Sequence, residues 1–394
     1  MSIRSIKDLN LQGSKVLIRV DFNVPLDSSG AITDDSRIKA VLPTLKYAID
    51  KGARVILMSH LGRPKGKVIK SMSLIPVARR LSEILGISVS MAPDCIGASV
   101  KKMVDDLKVG DVLLLENLRF HIGEEKNDPG FAKEIASFCD CFVNDAFATA
   151  HRAHASNVGV CKYLKDKAFG FLMMREVEYI SKTLETPKSP FAAVIGGAKV
   201  SGKLEVVENL LARVDKLIIG GGMAFTFIKA LGQSVGKSLL EEDLVESALK
   251  IMKQARKEGV KFYLPVDCIC GPEPKAGVTP VIKTIQEIPD NLMGLDIGPA
   301  TSTLFTEAID ACETLVWNGP MGLFEVDEFA SGTTAVSDAF ASSKALTIVG
   351  GGDTDAALRK TGNMDMIDFV STAGGAFLEM VGGKKLPAIE ALEE

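Results

Sequence analysis

The sequence predicts an α/β protein of two similar-sized domains, each a mainly parallel sheet flanked by helices. Three observations predict it. Apolar, β-rich runs alternate with segments of helical periodicity through the first half, the alternation stops between about residues 170 and 190, and it then restarts. Strands that alternate with helices pair in parallel, and continuous apolar runs suit strands covered on both faces. Ligands of such sheets sit beyond the carboxyl ends of the strands. A chain of 394 residues is also longer than one hydrophobic core usually serves.

Composition excludes several classes. Hydrophobic residues at 46% and charged residues at 24% describe an ordinary globular chain. A net charge of −4 leaves no basic footprint for nucleic acid or an anionic membrane. No apolar run reaches the length of a membrane span, and Met1-Ser2-Ile3-Arg4-Ser5 lacks a signal-peptide core, so a cytoplasmic protein is expected. The seven cysteines are odd in number and lie mostly in apolar runs, as buried thiols in a reducing compartment would. Cys139-x-Cys141 and Cys268-x-Cys270 fall in predicted strands. Their one-residue spacing is read as turning the thiols to opposite faces, which favours core over metal.

In the first half, Val16-Leu17-Ile18-Arg19-Val20 ends at Asp21-Phe22-Asn23, and Val55-Ile56-Leu57-Met58 ends at Ser59-His60-Leu61-Gly62-Arg63-Pro64. Val112-Leu113-Leu114-Leu115 ends at Glu116-Asn117-Leu118-Arg119, and Cys141-Phe142-Val143 ends at Asn144-Asp145, shortly before His151-Arg152-Ala153-His154. Arg37, Arg63, Arg119 and Arg152, with His60 and His151, thus gather positive charge in an acidic chain. Asp21 and Asn23 add groups suited to orienting hydroxyls. The planar arginine fork matches phosphate and carboxylate in two-point contact. One arginine alone would read as a surface ion pair, but four at corresponding strand ends predict a small polyanion carrying both groups.

The segment 171–182 has helical periodicity and stops before Pro187 and Pro190, which places the domain boundary on it. At the restart, Val194-Ile195-Gly196-Gly197-Ala198-Lys199-Val200-Ser201-Gly202-Lys203-Leu204 reads as strand, tight turn and first helical turn, with Lys199 and Lys203 on one helical face. Gly197-x4-Gly202-Lys203 has P-loop spacing, but Leu204 stands where a magnesium-binding hydroxyl is needed; the P-loop is rejected and the phosphate site kept. Glycines then follow strand after strand, at Gly220-Gly221-Gly222, Gly294, Asn318-Gly319 and Gly350-Gly351-Gly352-Asp353-Thr354. Glycine lets backbone approach a ligand closely. Asp353 is the candidate Mg²⁺ carboxylate. No loop spells G-x-G-x-x-G, which argues against a dinucleotide dehydrogenase. Gly374-Gly375 opens one further helix as a third anion site.

With these motifs in place, the sequence resembles phosphoglycerate kinase of the bacterial type over its whole length. The resemblance rests on Arg19-Val20-Asp21-Phe22-Asn23-Val24-Pro25, Ser59 to Pro64, Glu116 to Phe120, Asn144 to Phe147 with His151 to His154, Gly196 to Ser201, Gly220 to Ala224, Trp317-Asn318-Gly319-Pro320 and Gly350 to Thr354. It implies two Rossmann-like domains facing across a cleft: 1–170 binding 3-phosphoglycerate, 171–190 as linking helix and hinge, 191–378 binding nucleotide, and 379–394 returning to the first domain. It implies substrate roles for Asp21, Phe22, Asn23, Arg37, His60, Leu61, Gly62, Arg63, Arg119 and Arg152. Nucleotide roles fall on Lys199, Lys203, Gly221, Gly222, Gly294, Asn318, Glu325, Gly351, Gly352, Asp353 and Thr354, with Asp353 on the metal side. Arg37, Lys199, Gly374 and Gly375 become the groups around the moving phosphoryl.

Three departures from the family stand out: Gly202 where Asp is usual, Ala148 where Gly is commoner, and Cys268-Ile269-Cys270 in place of a valine-rich strand. None falls on a group with a direct chemical role. The resemblance implies a glycolytic and gluconeogenic kinase, a cytoplasmic monomer that takes 3-phosphoglycerate or 1,3-bisphosphoglycerate with ATP or ADP and Mg²⁺. Transfer is expected to be direct and in line, with no general base, since the acceptor carboxylate is already a nucleophile. His60, His151 and His154 are therefore not expected to act as acid–base catalysts. A non-catalytic nucleotide-binding regulator would share the glycine loops but would not need the four arginines. Because the two sets of residues lie on either side of 171–190, closure about that helix and 371–375 is expected to accompany catalysis.

Overall fold

The computed structural model describes residues 4–393; the first three residues of the stretch tested above for a signal core, and the final Glu394, lie outside them. By its contacts the chain divides into two compact units, residues 4–179 with 385–393, and Ile180–Lys384. No helix among the described residues is long and apolar enough to cross a membrane.

The first unit is built on six strands: β1 (Lys15–Arg19), β2 (Arg54–Met58), β3 (Val89–Met91), β4 (Val112–Leu114), β5 (Cys141–Asn144) and β6 (Lys167–Phe169). They lie in the order β3-β4-β2-β1-β5-β6, every pair parallel. The central strands are buried on both faces, with Val16, Leu17, Ile18, Val55, Ile56 and Leu57 fully covered. Burying each such side chain contributes about 1.5–3 kcal/mol. Helices are set by local signals: Ile75–Leu85 has Pro76 in its first turn and stops at Gly86 in the left-handed region (φ 69°). The helix Pro387–Glu393 belongs to this unit too, and its Ala388 N–H donates to the carbonyl of Ala150 at 3.1 Å.

The second unit has a parallel sheet of β7 (Phe191–Ile195), β8 (Lys216–Ile219), β9 (Lys261–Tyr263), β13 (Thr314–Asn318), β14 (Leu346–Gly350) and β15 (Phe369–Ser371), in the order β15-β14-β13-β7-β8-β9. Beside it β10 (Asp267–Gly271), β11 (Val281–Thr284) and β12 (Met293–Ile297) form a small antiparallel sheet, which the strand–helix alternation does not announce. Gly294 therefore lies inside an antiparallel strand, and not at the end of a parallel one as its placement among the strand-end glycines suggested. Trp317 is fully buried against Phe340 at a ring separation of 5.3 Å. The Asp267 carboxylate accepts from the N–H groups of Ala300 and Thr301, at 3.0 and 2.7 Å, and so caps the helix Pro299–Asp310.

The cysteine reading needs correction. Residues two apart in a strand share a face, and Cys268 and Cys270 on β10 place their sulfurs 3.5 Å apart. Cys139 precedes β5 and is not in a strand at all. The expectation of buried thiols holds for six of the seven, Cys139 being partly exposed, and none is in a disulfide.

Candidate functional site

The carboxyl ends of β1, β2, β4 and β5 lie together because their strands are parallel neighbours, and the charged residues that follow them meet there. Asp21, just beyond β1, accepts a short hydrogen bond from Nη1 of Arg37, and its Oδ1 accepts from the Asn23 N–H at 3.0 Å. The Asn23 side chain in turn accepts from the Gly62 N–H at 2.8 Å, and the Phe22 N–H donates to Ser59 at 2.9 Å. Asn117 ties the loops after β2 and β4 together. Its amide donates to the Leu61 carbonyl at 2.7 Å, and its oxygen accepts from the N–H groups of Leu61 and Arg119. Arg119 then donates to the Gly62 carbonyl at 2.7 Å. Gly62 itself sits at φ 63°, which favours glycine.

Electrostatics single out Arg152. Its charge is felt by Arg19 and Arg119, and it feels those of Arg37 and Arg63, so five guanidinium groups press on one place. Burial, followed by Arg152, lowers the Arg119 pKa to about 10; burial and then Arg63 lower that of Arg152. Arg63 is exposed and has no hydrogen-bonded side-chain partner among the described residues. Clustered like charges of this kind call for an anion. Burial, then the surrounding arginines, holds His60 well below the usual histidine range. Burial likewise lowers His151 to about 4 and His154 to about 3, so all three imidazoles are neutral at pH 7.

Sequence reasoning passed over the group beneath this cluster. Arg19 was read only as part of a strand, yet it is 1% exposed, donates to Ser156 Oγ at 2.9 Å and lies 3.2 Å from His60 Nδ1. Ser156 passes the contact on to fully buried Glu124 through its hydroxyl at 2.6 Å and its N–H at 3.0 Å. The available signal was an arginine closing an otherwise apolar strand, since a buried charge demands partners.

In the second unit the loops after β7, β8, β13, β14 and β15 meet. The Asn318 amide donates to the Gly350 carbonyl, and Thr354 Oγ accepts from the Gly319 N–H at 2.7 Å. Gly351 opens the helix Gly352–Thr361 at φ 109°, and a Cβ there would lie 2.6 Å from Asn318 Nδ2. Gly374 sits against Gly351, where an added Cβ would be 3.3 Å from its Cα. Gly221 packs on the backbone of Gly197. Gly221, Gly222 and Gly294 line one small cavity with Phe225, Pro265 and Met321. Asp353 is exposed at the start of its helix, with no side-chain hydrogen bond among the described residues. Glu325 is exposed in the loop after β13, and no side-chain contact draws it to the other predicted residues.

The two lysines do not stand on one helical face. The helix begins only at Leu204, and Lys199 and Lys203 lie in the turn before it. The Val200 and Ser201 N–H groups donate to the Glu241 carboxylate at 2.6 and 2.9 Å, and the Lys203 and Leu204 N–H groups donate to the Val200 carbonyl at 2.8 and 2.9 Å, so a hydrogen-bonded turn leads into the helix. Lys199 is exposed, whereas the Lys203 ammonium folds back on the carbonyls of Gly196 and Asn318 at 2.6 and 3.3 Å. Desolvation lowers the Lys203 pKa to about 8, against an opposing pull from Asp353.

An arginine-lined anion site on one parallel sheet, and glycine-rich turns suited to nucleotide phosphates on another, describe a two-substrate phosphotransferase. The sequence profile of the family described as phosphoglycerate kinase matches residues 6–384, and the chain belongs to that family. It is 58% identical to a phosphoglycerate kinase of Geobacter metallireducens, covering 100% of this chain and 99% of that one. The solved structure of phosphoglycerate kinase from Coxiella burnetii is 45% identical, covers 100% and 99% of the two chains, and superposes with a TM-score of 0.85. That from Pyrococcus horikoshii is 34% identical, covers 100% and 98%, and gives 0.86. The reaction is the reversible transfer of a phosphoryl group between 1,3-bisphosphoglycerate and ADP, giving 3-phosphoglycerate and ATP, a step of glycolysis.

Proposed function

We propose that the arginine cluster of the first unit holds 3-phosphoglycerate and that the glycine turns of the second hold the nucleotide with Mg²⁺. The convergence of Arg19, Arg37, Arg63 and Arg119 on Arg152 supports this most directly, because the five guanidinium groups outnumber the carboxylates among them, Asp21, Glu124 and Glu125, and leave positive charge for an anion. Arg63, Arg119 and Arg152 bind phosphate and carboxylate of the substrate, Asp21 and Asn23 orient its hydroxyl, and His60 lends a neutral imidazole. Phe22, Leu61 and Gly62 shape the backbone around it. Lys203, Asn318 and the Gly351–Thr354 turn hold the nucleotide phosphates, while Gly221, Gly222 and Gly294 leave room for the nucleoside and Glu325 closes its edge. The exposed Asp353 carboxylate suits a hard cation, and Mg²⁺ bound with the nucleotide would neutralise phosphate charge there.

In this reading transfer is direct and in line, with the reacting atoms brought within roughly 3–3.5 Å. The carboxylate of 3-phosphoglycerate attacks without a general base. Arg37, Lys199 and the N–H groups at Gly374 and Gly375 receive the charge that builds on the phosphoryl in flight. The enzyme acts as a monomer in the cytoplasm, each chain carrying both sets of ligand residues. Binding measurements on two variants test the assignment. Arg152→Met should weaken 3-phosphoglycerate and spare MgADP, and Asp353→Asn should do the reverse; the opposite pattern, or equal losses in both, overturns it.

A further inference from the structure

Asp94, Cys95 and His121 converge at a place the phosphoryl-transfer reading leaves unused. Asp94 and Cys95 lie in the irregular segment after β3, and His121 ends the single turn Leu118–Phe120 that carries Arg119. His121 Nε2 is 2.7 Å from Asp94 Oδ1. The imidazole nitrogen, the Cys95 sulfur and the carboxylate oxygen all lie within 4.8 Å of one another. Cys95 is buried while Asp94 and His121 are half-buried, so the three donors close the inner side of a site that opens to solvent. Among the described residues, this is the one group of three such donors.

We propose that Asp94, Cys95 and His121 form a binding site for a borderline-soft divalent cation, Zn²⁺ foremost. A sulfur, a nitrogen and an oxygen together suit Zn²⁺ and its neighbours, and they suit Mg²⁺ poorly, since Mg²⁺ prefers oxygen throughout. Three protein ligands leave the fourth tetrahedral position to solvent. Ligand lengths of about 2.0–2.3 Å put tetrahedral donors roughly 3.3–3.7 Å apart. The His121–Asp94 contact must therefore widen and the more distant donor draw in, each by about an ångström or less. None of the three residues lies within a helix or strand, so the adjustment breaks no regular hydrogen bonding. Metal ligation releases the thiol proton of Cys95 to solvent and leaves the imidazole bound through Nε2. A cation held there pins the outer edge of the turn that carries Arg119.

Titration of the full chain with Co²⁺, a spectroscopic stand-in for Zn²⁺, tests the proposal. A thiolate-to-cobalt absorption should grow to one equivalent, be bleached by Zn²⁺ and survive millimolar Mg²⁺. Cys95→Ser should abolish that absorption, and His121→Gln should weaken binding by at least about tenfold. Absence of the band in the native chain, its persistence in Cys95→Ser, or an affinity in His121→Gln within about twofold of native would each overturn it. Should Cys95→Ser not fold, Asp94→Asn joins His121→Gln in the same affinity test, both side chains being reached from solvent.

Discussion

Arg37 donates from Nη1 to Oδ2 of Asp21, so a carboxylate just beyond one strand fixes the direction of a guanidinium on a neighbouring helix. Lysine at position 37 would keep a charge near Asp21 but lose the planar fork. We expect Arg37→Lys to lower kcat by roughly two orders of magnitude, the scale for losing one positioned donor. Steady-state kinetics with both substrates saturating measure this directly. An unaltered kcat with a raised KM would make Arg37 an anchor for the ground state alone.

Lys203 is held near a pKa of about 8, chiefly by desolvation. Nucleotide phosphates favour its charged form, so its pKa rises in the complex and binding takes up a proton where the free lysine is partly neutral. At about pH 8.5, MgADP titrated in buffers of different ionisation enthalpy should show uptake in the native protein and none in Lys203→Met. Affinity should fall as pH climbs through about 8. At neutral pH, Lys203→Ala should mainly raise the nucleotide KM, whereas Lys199→Ala should mainly depress kcat.

Asp145 follows β5, is fully buried, and leaves Oδ2 without a hydrogen-bond partner. Burial raises its pKa to about 6, against the opposing hydrogen bonds from Thr44 and Met173. A raised folded-state pKa in an acid means the folded chain binds more protons than the unfolded one over that range. The contribution of Asp145 to stability is then greatest below the ordinary carboxylate pKa near 3.8 and falls as pH rises to about 6, by roughly 3 kcal/mol. Asp145→Asn should remove that share alone, seen as a smaller fall in urea midpoint across the interval than the native protein shows, since Asp296, raised to about 7 by burial, keeps its own slope. Parallel losses in both proteins would assign the slope to another group.

Gly294 faces the ring of Phe225, where an added Cβ would lie 2.1 Å from Cζ. Gly294→Ala must displace that ring, which lines one small cavity with Gly221 and Gly222. Such overpacking costs about 1–3 kcal/mol. The nucleotide KM should rise roughly tenfold, on the same energy scale, while the KM for 3-phosphoglycerate stays level. Equal changes in both would point to general destabilisation.

The strand ends were legible because continuous apolar runs such as Val16–Val20 and Val55–Met58 stop abruptly at charged residues. Parallel pairing then forces those ends to one edge, which groups Arg63, Arg119 and Arg152, whereas Arg37 stands on the helix Ser36–Ala40 and not at a strand end as expected, and it joins them through Asp21. What escaped depends on partners distant in sequence. The turn that carries Lys199 and Lys203 is anchored by Glu241, which accepts from Val200 and Ser201, and no local periodicity reveals that bond. Arg19 does end a strand, but its buried role escaped because its partners there, Ser156 and through it Glu124, lie more than a hundred positions on. Gly294 was grouped with the parallel strand ends because a short antiparallel insertion has the same apolar texture as a parallel strand.

The first unit is assembled from two stretches of chain with the whole of the second unit between them. Translation therefore delivers every residue from Ile180 to Lys384 before the segment that completes what was begun first. Until then the Ala150 carbonyl waits for its Ala388 donor, and the surface that covers Leu386 and Leu392 stays open to water. Ala150 adjoins His151 and Arg152, so a backbone anchor beside the arginine cluster forms only after Pro387–Glu393 has emerged from the ribosome. The unit started first is the one finished last.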